Sequence, residues 1–284
     1  MILASCSRRS CCQYFLSQKQ LLNGATTTTT VTRALFSSTS TQAVPPSSSP
    51  PIVELREYHL HPEHAAAYMQ ATATAADLRK RLAPLRFFSL PETGGLLHTA
   101  THAYYYAGGH AERNAKRAAM AADPDWKAYV ATIRPHAAAQ HSTIYIEASL
   151  VQTIDAITGL SQQVPKAPLP GNAPILEIRR YQLQLGYDTV PQFLEWYGGA
   201  IADKLTAPGT CETTSLVTLL YSDVGPLNEV LEIWRHGNGT AAMEQSRAAA
   251  RRVSTWRQAI AQIATLAVSF QTTIHKPVSF SPIQ

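Results

Sequence analysis

The chain has 284 residues, is 45% apolar and 15% charged, and carries a formal charge of +5. No window reaches the roughly 18 uninterrupted apolar residues of a membrane-spanning helix, so a span is excluded. Aromatic and β-branched residues run along the length, which excludes a wholly disordered chain.

The charge is uneven. Residues 1–51 hold Arg8, Arg9, Lys19 and Arg33, contain 18 Ser or Thr, and have no Asp or Glu. The rest of the chain is nearly neutral, so the basic pI marks no nucleic-acid surface. Basic, hydroxyl-rich and acid-free composition is that of an organellar presequence. Residues 33–41, Arg-Ala-Leu-Phe-Ser-Ser-Thr-Ser-Thr, resemble a mitochondrial processing site. The expected destination is the mitochondrial matrix; the Thr26–Thr30 run leaves the plastid as the alternative. Three of the four cysteines, Cys6, Cys11 and Cys12, lie in this segment. Cys211 alone cannot form an internal disulfide, and with no activating neighbour in sequence it reads as inert. Pro45, Pro46, Pro50 and Pro51, with Ser47–Ser49, lead into the folded part.

The body begins at residue 52 and repeats itself. Ile52-Val-Glu-Leu-Arg-Glu-Tyr-His-Leu60 and Ile175-Leu-Glu-Ile-Arg-Arg-Tyr-Gln-Leu183 are identical at five of nine positions. Both alternate with period two: Val53 and Leu55 on one face, Glu54, Arg56 and Tyr58 on the other. Each is predicted as a strand. Helices are predicted at 64–82 and 190–205. Strands follow near 85–90 and 97–106, and again at 216–221 and 229–236, joined across Gly94-Gly95 and Gly225-Pro226. Second helices span 110–120 extended by 124–140, and 240–268. Closing strands are expected at 143–150 and 272–279. A common offset of 130 carries Gly95 onto Gly225, His102 onto Glu232, Arg117 onto Arg247 and Trp126 onto Trp256.

The expected organisation is therefore 1–51 as leader, 52–150 as repeat 1, 151–173 as linker and 174–284 as repeat 2. The order βαββαβ is ferredoxin-like, α+β. Each antiparallel sheet leaves one face bare, and two copies in one chain bury those faces against each other as a pseudo-dimeric barrel.

The repeats resemble the NIPSNAP family. The likeness is carried by Glu54-Leu55-Arg56-x-Tyr58, His102-x-Tyr104-x-Tyr106, Glu112-Arg113-x-x-x-Arg117, Asp123-Pro124-x-Trp126-x-x-Tyr129 and Ile133-Arg134-Pro135. Repeat 2 supplies Glu177-Ile178-Arg179-x-Tyr181, Glu232-x-Trp234-x-His236, Arg247, Trp256 and a terminal Phe280-Ser281-Pro282-Ile283. Tyr104 stands where the family usually has Trp, His236 where Tyr is usual, and Trp256 lacks the preceding Asp-Pro. The resemblance implies an organellar presequence and a tandem dimeric α+β barrel. It also implies a binding or adaptor role of the organelle quality-control or trafficking type, with protein partners that include autophagy-type adaptors. Tyr221-Ser222-Asp223-Val224 has the aromatic-x-x-aliphatic spacing of such adaptor ligands, which add a strand to a partner's sheet.

The candidate pocket consists of His102, Tyr104, Tyr106, Arg113, Arg117, Trp126, Glu232, Trp234, His236 and Arg247. His102, Tyr104 and Tyr106 share a strand face, as do Glu232, Trp234 and His236. Inside the barrel that face would bring a His–Glu pair among tyrosine hydroxyls, suited to acid–base work or small-molecule binding. The competing reading is a satisfied polar network that packs the layer. Arg113 and Arg117, like Arg247 and Arg251, lie one helical turn apart. They would either hold a carboxylate or phosphate, or pair internally, for example Arg117 with Asp123 or Glu112. An alternative function is a small hydrophobic-ligand or haem binder, or a monooxygenase-like enzyme, by analogy of fold. His102 or His236 would then be the axial haem ligand and Arg113 or Arg117 the propionate partner. His59, His61 and His64 cluster after the first strand, but Pro62 redirects the chain and repeat 2 has no histidines there, so no metal is expected. A homo-oligomer is compatible with the pattern. No catalytic motif is present, and no residue is assigned a catalytic role.

Overall fold

A computed structural model describes residues 49–161 and 171–284. The expected leader, up to residue 48, and the middle of the expected linker lie outside the described residues.

Repeat 1 runs β1 (Ile52–Leu60), α1 (Ala65–Thr74), α2 (Ala76–Leu82), β2 (Leu85–Thr93), β3 (Thr99–Tyr106), α3 (Gly109–Ala122), α4 (Pro124–Ile133) and β4 (Ala137–Glu147). A short helix α5 (Leu150–Thr153) follows. Repeat 2 runs β5 (Ile175–Leu183), α6 (Thr189–Leu205), β6 (Thr214–Val224), β7 (Glu229–His236), α7 (Gly239–Ala250), α8 (Ser254–Leu266) and β8 (Ala267–Pro277). The eight strands close into an antiparallel barrel in the order β1-β3-β2-β8-β5-β7-β6-β4. Each repeat contributes four adjacent strands, and the seams are β2–β8 and β4–β6. The barrel is thus internal to the chain, and closure leaves neither repeat with a bare sheet face.

Both closing strands begin earlier than the sequence predicts, at 137 instead of 143 and at 267 instead of 272. Alanines 137–139 favour helix intrinsically, but Pro135 stops α4, and pairing of Leu60 with Ala137 draws the segment into the sheet. The expected 240–268 helix is two helices broken at Val253, whose extended backbone starts α8. Asp123 begins α4 by accepting the Trp126 amide at 2.9 Å, with Pro124 at the first helical position. Gly94 turns the β2–β3 hairpin with φ of +88°, and a Cβ there would meet the Thr272 carbonyl oxygen at 2.3 Å.

Alternation sorts the strands into two layers. Val53, Leu55, Ala103 and Tyr105 from repeat 1 meet Leu176, Ile178, Leu231 and Ile233 from repeat 2 in the lumen. The opposite strand faces carry the helices: Ile52, Tyr104 and Tyr106 in repeat 1, and Tyr181 and Trp234 in repeat 2, where Trp256 of α8 packs with them. A reciprocal clasp joins the halves. After β4, Thr158 and Gly159 donate to the carbonyls of Leu216 and Val217, and Leu160 enters the lumen core. After β8, Ile283 donates to the Arg86 carbonyl, and its side chain enters the same core. Residues 154–161 of the expected linker therefore pack on the body.

Candidate functional site

The polar side chains singled out in the sequence do not face the lumen. They lie between each sheet and its own helices, so His102 and Glu232 sit in different layers and form no pair. Both strand faces are buried, and the polar alternation marks the helix side.

In repeat 2, β5 and β7 bring Glu177, Arg179, Tyr181, Glu232, Trp234 and His236 beneath α6, α7 and α8. Glu232 is fully buried. It accepts from Tyr197 at 2.6 Å, Tyr181 at 3.0 Å, the Trp234 indole at 2.5 Å and Lys204 at 3.4 Å, and Arg179 lies 3.6 Å away. Glu177 accepts from Arg179 and Arg247, both at 2.5 Å, and meets His236 Nε2 at 3.0 Å. Burial opposes both carboxylate charges. His236 and the Arg179 and Arg247 guanidiniums outweigh it at Glu177, and Lys204, Arg179 and the hydrogen bonds from Tyr197 and Trp234 outweigh it at Glu232. Lys204 lies 3.8 Å and 4.2 Å from the ring centres of Trp234 and Trp256. Burial pulls its amine down to about 7, against the pull of Glu232.

Beside this network opens a cavity of about 1020 Å³, bounded by β5, β7, α7, α8 and the first half of β8. Its walls include Trp234, Trp256, Ile260, Val268, Phe270 and Ile274. Its charged lining comprises Glu177 against Arg179, Lys204, Arg247, Arg251 and Arg257. The inner cations Arg179, Lys204 and Arg247 are paired with Glu177 and Glu232, whereas Arg251 and Arg257, both exposed, form a basic rim.

Repeat 1 is built on the same register with different contents. Glu54 is fully buried and accepts from Arg113 at 2.8 Å, Ser142 at 2.7 Å, Arg117 at 3.4 Å and Tyr106 at 3.3 Å. Arg117 and Arg247 therefore share one role, binding the first-strand glutamate of their repeat. Among the described residues Asp123 pairs instead with Arg81. His102 is enclosed by Phe88, stacked at 4.9 Å, and by Tyr58 and Tyr104 edge-on. Burial, with Arg79 and Arg56 nearby, drives its pKa far down, so it is neutral. Trp126 is half-buried against Tyr129 and Arg79.

A haem does not fit these assignments. His102 has no exposed surface and lies flat on Phe88. His236 has both ring nitrogens engaged, by Glu177 and by Thr214 at 3.0 Å. No group of three or more metal-ligating side chains converges among the described residues. Tyr221–Val224 closes β6: Tyr221 pairs with Val230 of β7 and Ile146 of β4, and Ser222 and Val224 pair with β4.

Four buried participants escaped the sequence reading: Arg79, Lys204, Tyr68 and Tyr197. All lie on the first helices, where the repeats align with neither the strand offset nor the later one. Glu54, Arg56, Glu177 and Arg179 belong to the quoted motifs but were not counted as pocket residues.

The NIPSNAP family model matches residues 53–152 and 176–282, both repeats almost whole. The chain belongs to the NIPSNAP family. A NIPSNAP family protein from Agrobacterium tumefaciens is 23% identical; the match covers 42% of this chain and 98% of that one, with a TM-score of 0.35. Over 81% of its length this NIPSNAP chain also matches two longer structures. One is named a putative monooxygenase, from Fusobacterium nucleatum (94% of that chain, 11% identity, TM-score 0.55). The other is an anthrone oxidase-like protein (92% of that chain, 11% identity, TM-score 0.50). At that identity the likeness is one of fold. No curated protein matches. Among the described residues no helix is long and apolar enough to cross a membrane.

Proposed function

We propose that this NIPSNAP protein binds a small amphipathic organic anion in the helix-side cavity of repeat 2. The observation that carries the reading is a cavity of about 1020 Å³ with aromatic and aliphatic walls and a basic rim. Apolar walls bind the body of the ligand, and Arg251 and Arg257 bind its carboxylate or similar head. A medium-chain carboxylate such as decanoate should change the Trp256 and Trp234 fluorescence of the purified chain, and decanol should bind more weakly. Replacing both Arg251 and Arg257 with Ala should weaken decanoate at least about tenfold, since a charge-assisted hydrogen bond contributes about 1.5–3 kcal/mol. Equal affinity for acid and alcohol would sink the reading. Under the monooxygenase-like alternative an oxidisable substrate is its own reductant: it takes one atom of dioxygen and gives up the two electrons and two protons that turn the other into water, which oxygen uptake by the substrate-loaded protein would reveal.

Mitochondrial delivery and an adaptor role there are the second part of the proposal. They are supported by the acid-free composition of residues 1–51 and by family membership. The full chain should enter energised isolated mitochondria and be shortened near residues 33–41. Retention outside, or import into plastids alone, would refute the mitochondrial assignment.

A further inference from the structure

The two repeats differ at one buried position in a way that leaves positive charge uncompensated. Cross-strand pairing sets Arg179 opposite Glu232 in repeat 2 and Arg56 opposite His102 in repeat 1, on matching registers. In repeat 2 the Glu232 carboxylate collects Arg179, Lys204 and Tyr181. Repeat 1 keeps the counterparts of these donors, Arg56, Arg79 and Tyr58, but holds a neutral imidazole where the carboxylate would be. Arg79 is 2% exposed. Its terminal nitrogens donate only to the hydroxyls of Tyr104 and Tyr129, and no carboxylate reaches it among the described residues. Arg56 meets the Tyr58 ring and makes no hydrogen bond or ion pair with a carboxylate among them; its charge acts on Glu54 only through space. Both ring nitrogens of His102, the Nε atoms of Arg56 and Arg79, and the Tyr68 hydroxyl are buried without a hydrogen-bond partner in the protein. Burying a guanidinium without a counter-charge costs far more than a hydrogen bond returns. Glu54 cannot serve all of this charge, because it already binds Arg113 and Arg117.

We infer that the helix-side layer of repeat 1 is a binding site for a small carboxylate-sized anion, held by Arg56, Arg79 and His102 in place of the carboxylate that repeat 2 supplies as Glu232. The ligand class is a planar oxyanion of one or two carbons, such as formate or acetate, whose oxygens take up the open donors. A neutral imidazole donates from one nitrogen, and the two guanidiniums supply the charge. Entry is from the Arg56 side, where Arg56 is half-buried and Arg117 remains 40% exposed. The site is separate from the repeat 2 cavity and stands or falls independently of it.

The test is thermal unfolding of the full chain at constant ionic strength, with formate replacing a bulky sulfonate anion. Formate at about 50 mM should raise the midpoint by roughly 5 °C, as expected for a site occupied well above its dissociation constant. His102→Glu, which installs the missing carboxylate, should raise the midpoint without formate and abolish the response. Arg56→Gln, at a half-buried position, should shrink the response by at least half. The Arg251→Ala/Arg257→Ala protein should respond like the parent. No formate response in the parent overturns the site. So does a response that survives in His102→Glu or, should that variant not fold, one that is undiminished in Arg56→Gln. A tyrosinate absorbance near 295 nm at pH 7.5 would also overturn it, since a phenolate would then be the counter-charge.

Discussion

Glu232→Ala should cost about 3–5 kcal/mol of folding stability, the range for breaking a buried ion pair from one side. The loss leaves Arg179, which cannot shed its proton, with Glu177 as its one carboxylate, and removes the acceptor of Tyr181, Tyr197 and Trp234 at once. Lys204 softens the blow: with its pKa already near 7 it becomes neutral when the carboxylate goes. Lys204→Met in the Glu232→Ala background should therefore add little, and the two changes should be strongly non-additive. Urea unfolding at pH 7.5 measures both. A single-variant loss under about 1 kcal/mol would show that the network does not hold repeat 2 together.

The second large effect is acid destabilisation through His275. This side chain lies on the lumen side, with Ser89 at 3.2 Å on Nδ1 and Thr273 at 3.0 Å on Nε2. Burial, with the Arg180 charge, lowers its pKa to about 4. Below about 6.5 the unfolded chain takes up a proton that the folded chain refuses, so stability falls as pH drops from 6.5 to 4. The full contribution is on the order of 3 kcal/mol, and it is flat below pH 4, where both states are protonated. Other groups in the protein also respond to acid, so the diagnostic quantity is a difference between proteins. His275→Gln should unfold in urea with a shallower loss between pH 6.5 and 4.5 than the parent. Parallel curves would mean that His275 does not carry the effect.

Much of the architecture was legible before any coordinates. Period-two alternation in Ile52–Leu60 and Ile175–Leu183, with a shared offset downstream, specifies a duplicated sheet, and closure follows from the need to bury both bare faces. What stayed hidden has physical causes. Alternation separates two strand faces but does not say which is covered by helices when both are buried, so Tyr104 and Trp234 could be placed on one side but not assigned to it. Alanines 137–139 carry helix propensity that strand pairing overrides. Arg79 and Lys204 escaped because a single cation in an apolar helix resembles an ordinary solvent-facing residue. Only tertiary contact shows Arg79 among Tyr104, Tyr129 and Trp126, and Lys204 between two indoles. The arginines at 117 and 247 were found by repetition, but their partners, Glu54 and Glu177, were set by packing across the layer.

The reciprocal clasp, in which Leu160 and Ile283 each reach from one repeat into the core shared with the other, has a consequence for inheritance. A barrel made of two identical subunits has one gene for two sites, so any substitution appears twice and both sites must tolerate it. Here the halves grip one another as separate subunits would, yet each is encoded on its own. A carboxylate can be kept at residue 232 while its counterpart at 102 becomes an imidazole, and selection can act on one pocket without disturbing the other. The duplication thus turns symmetry from a requirement into a starting point.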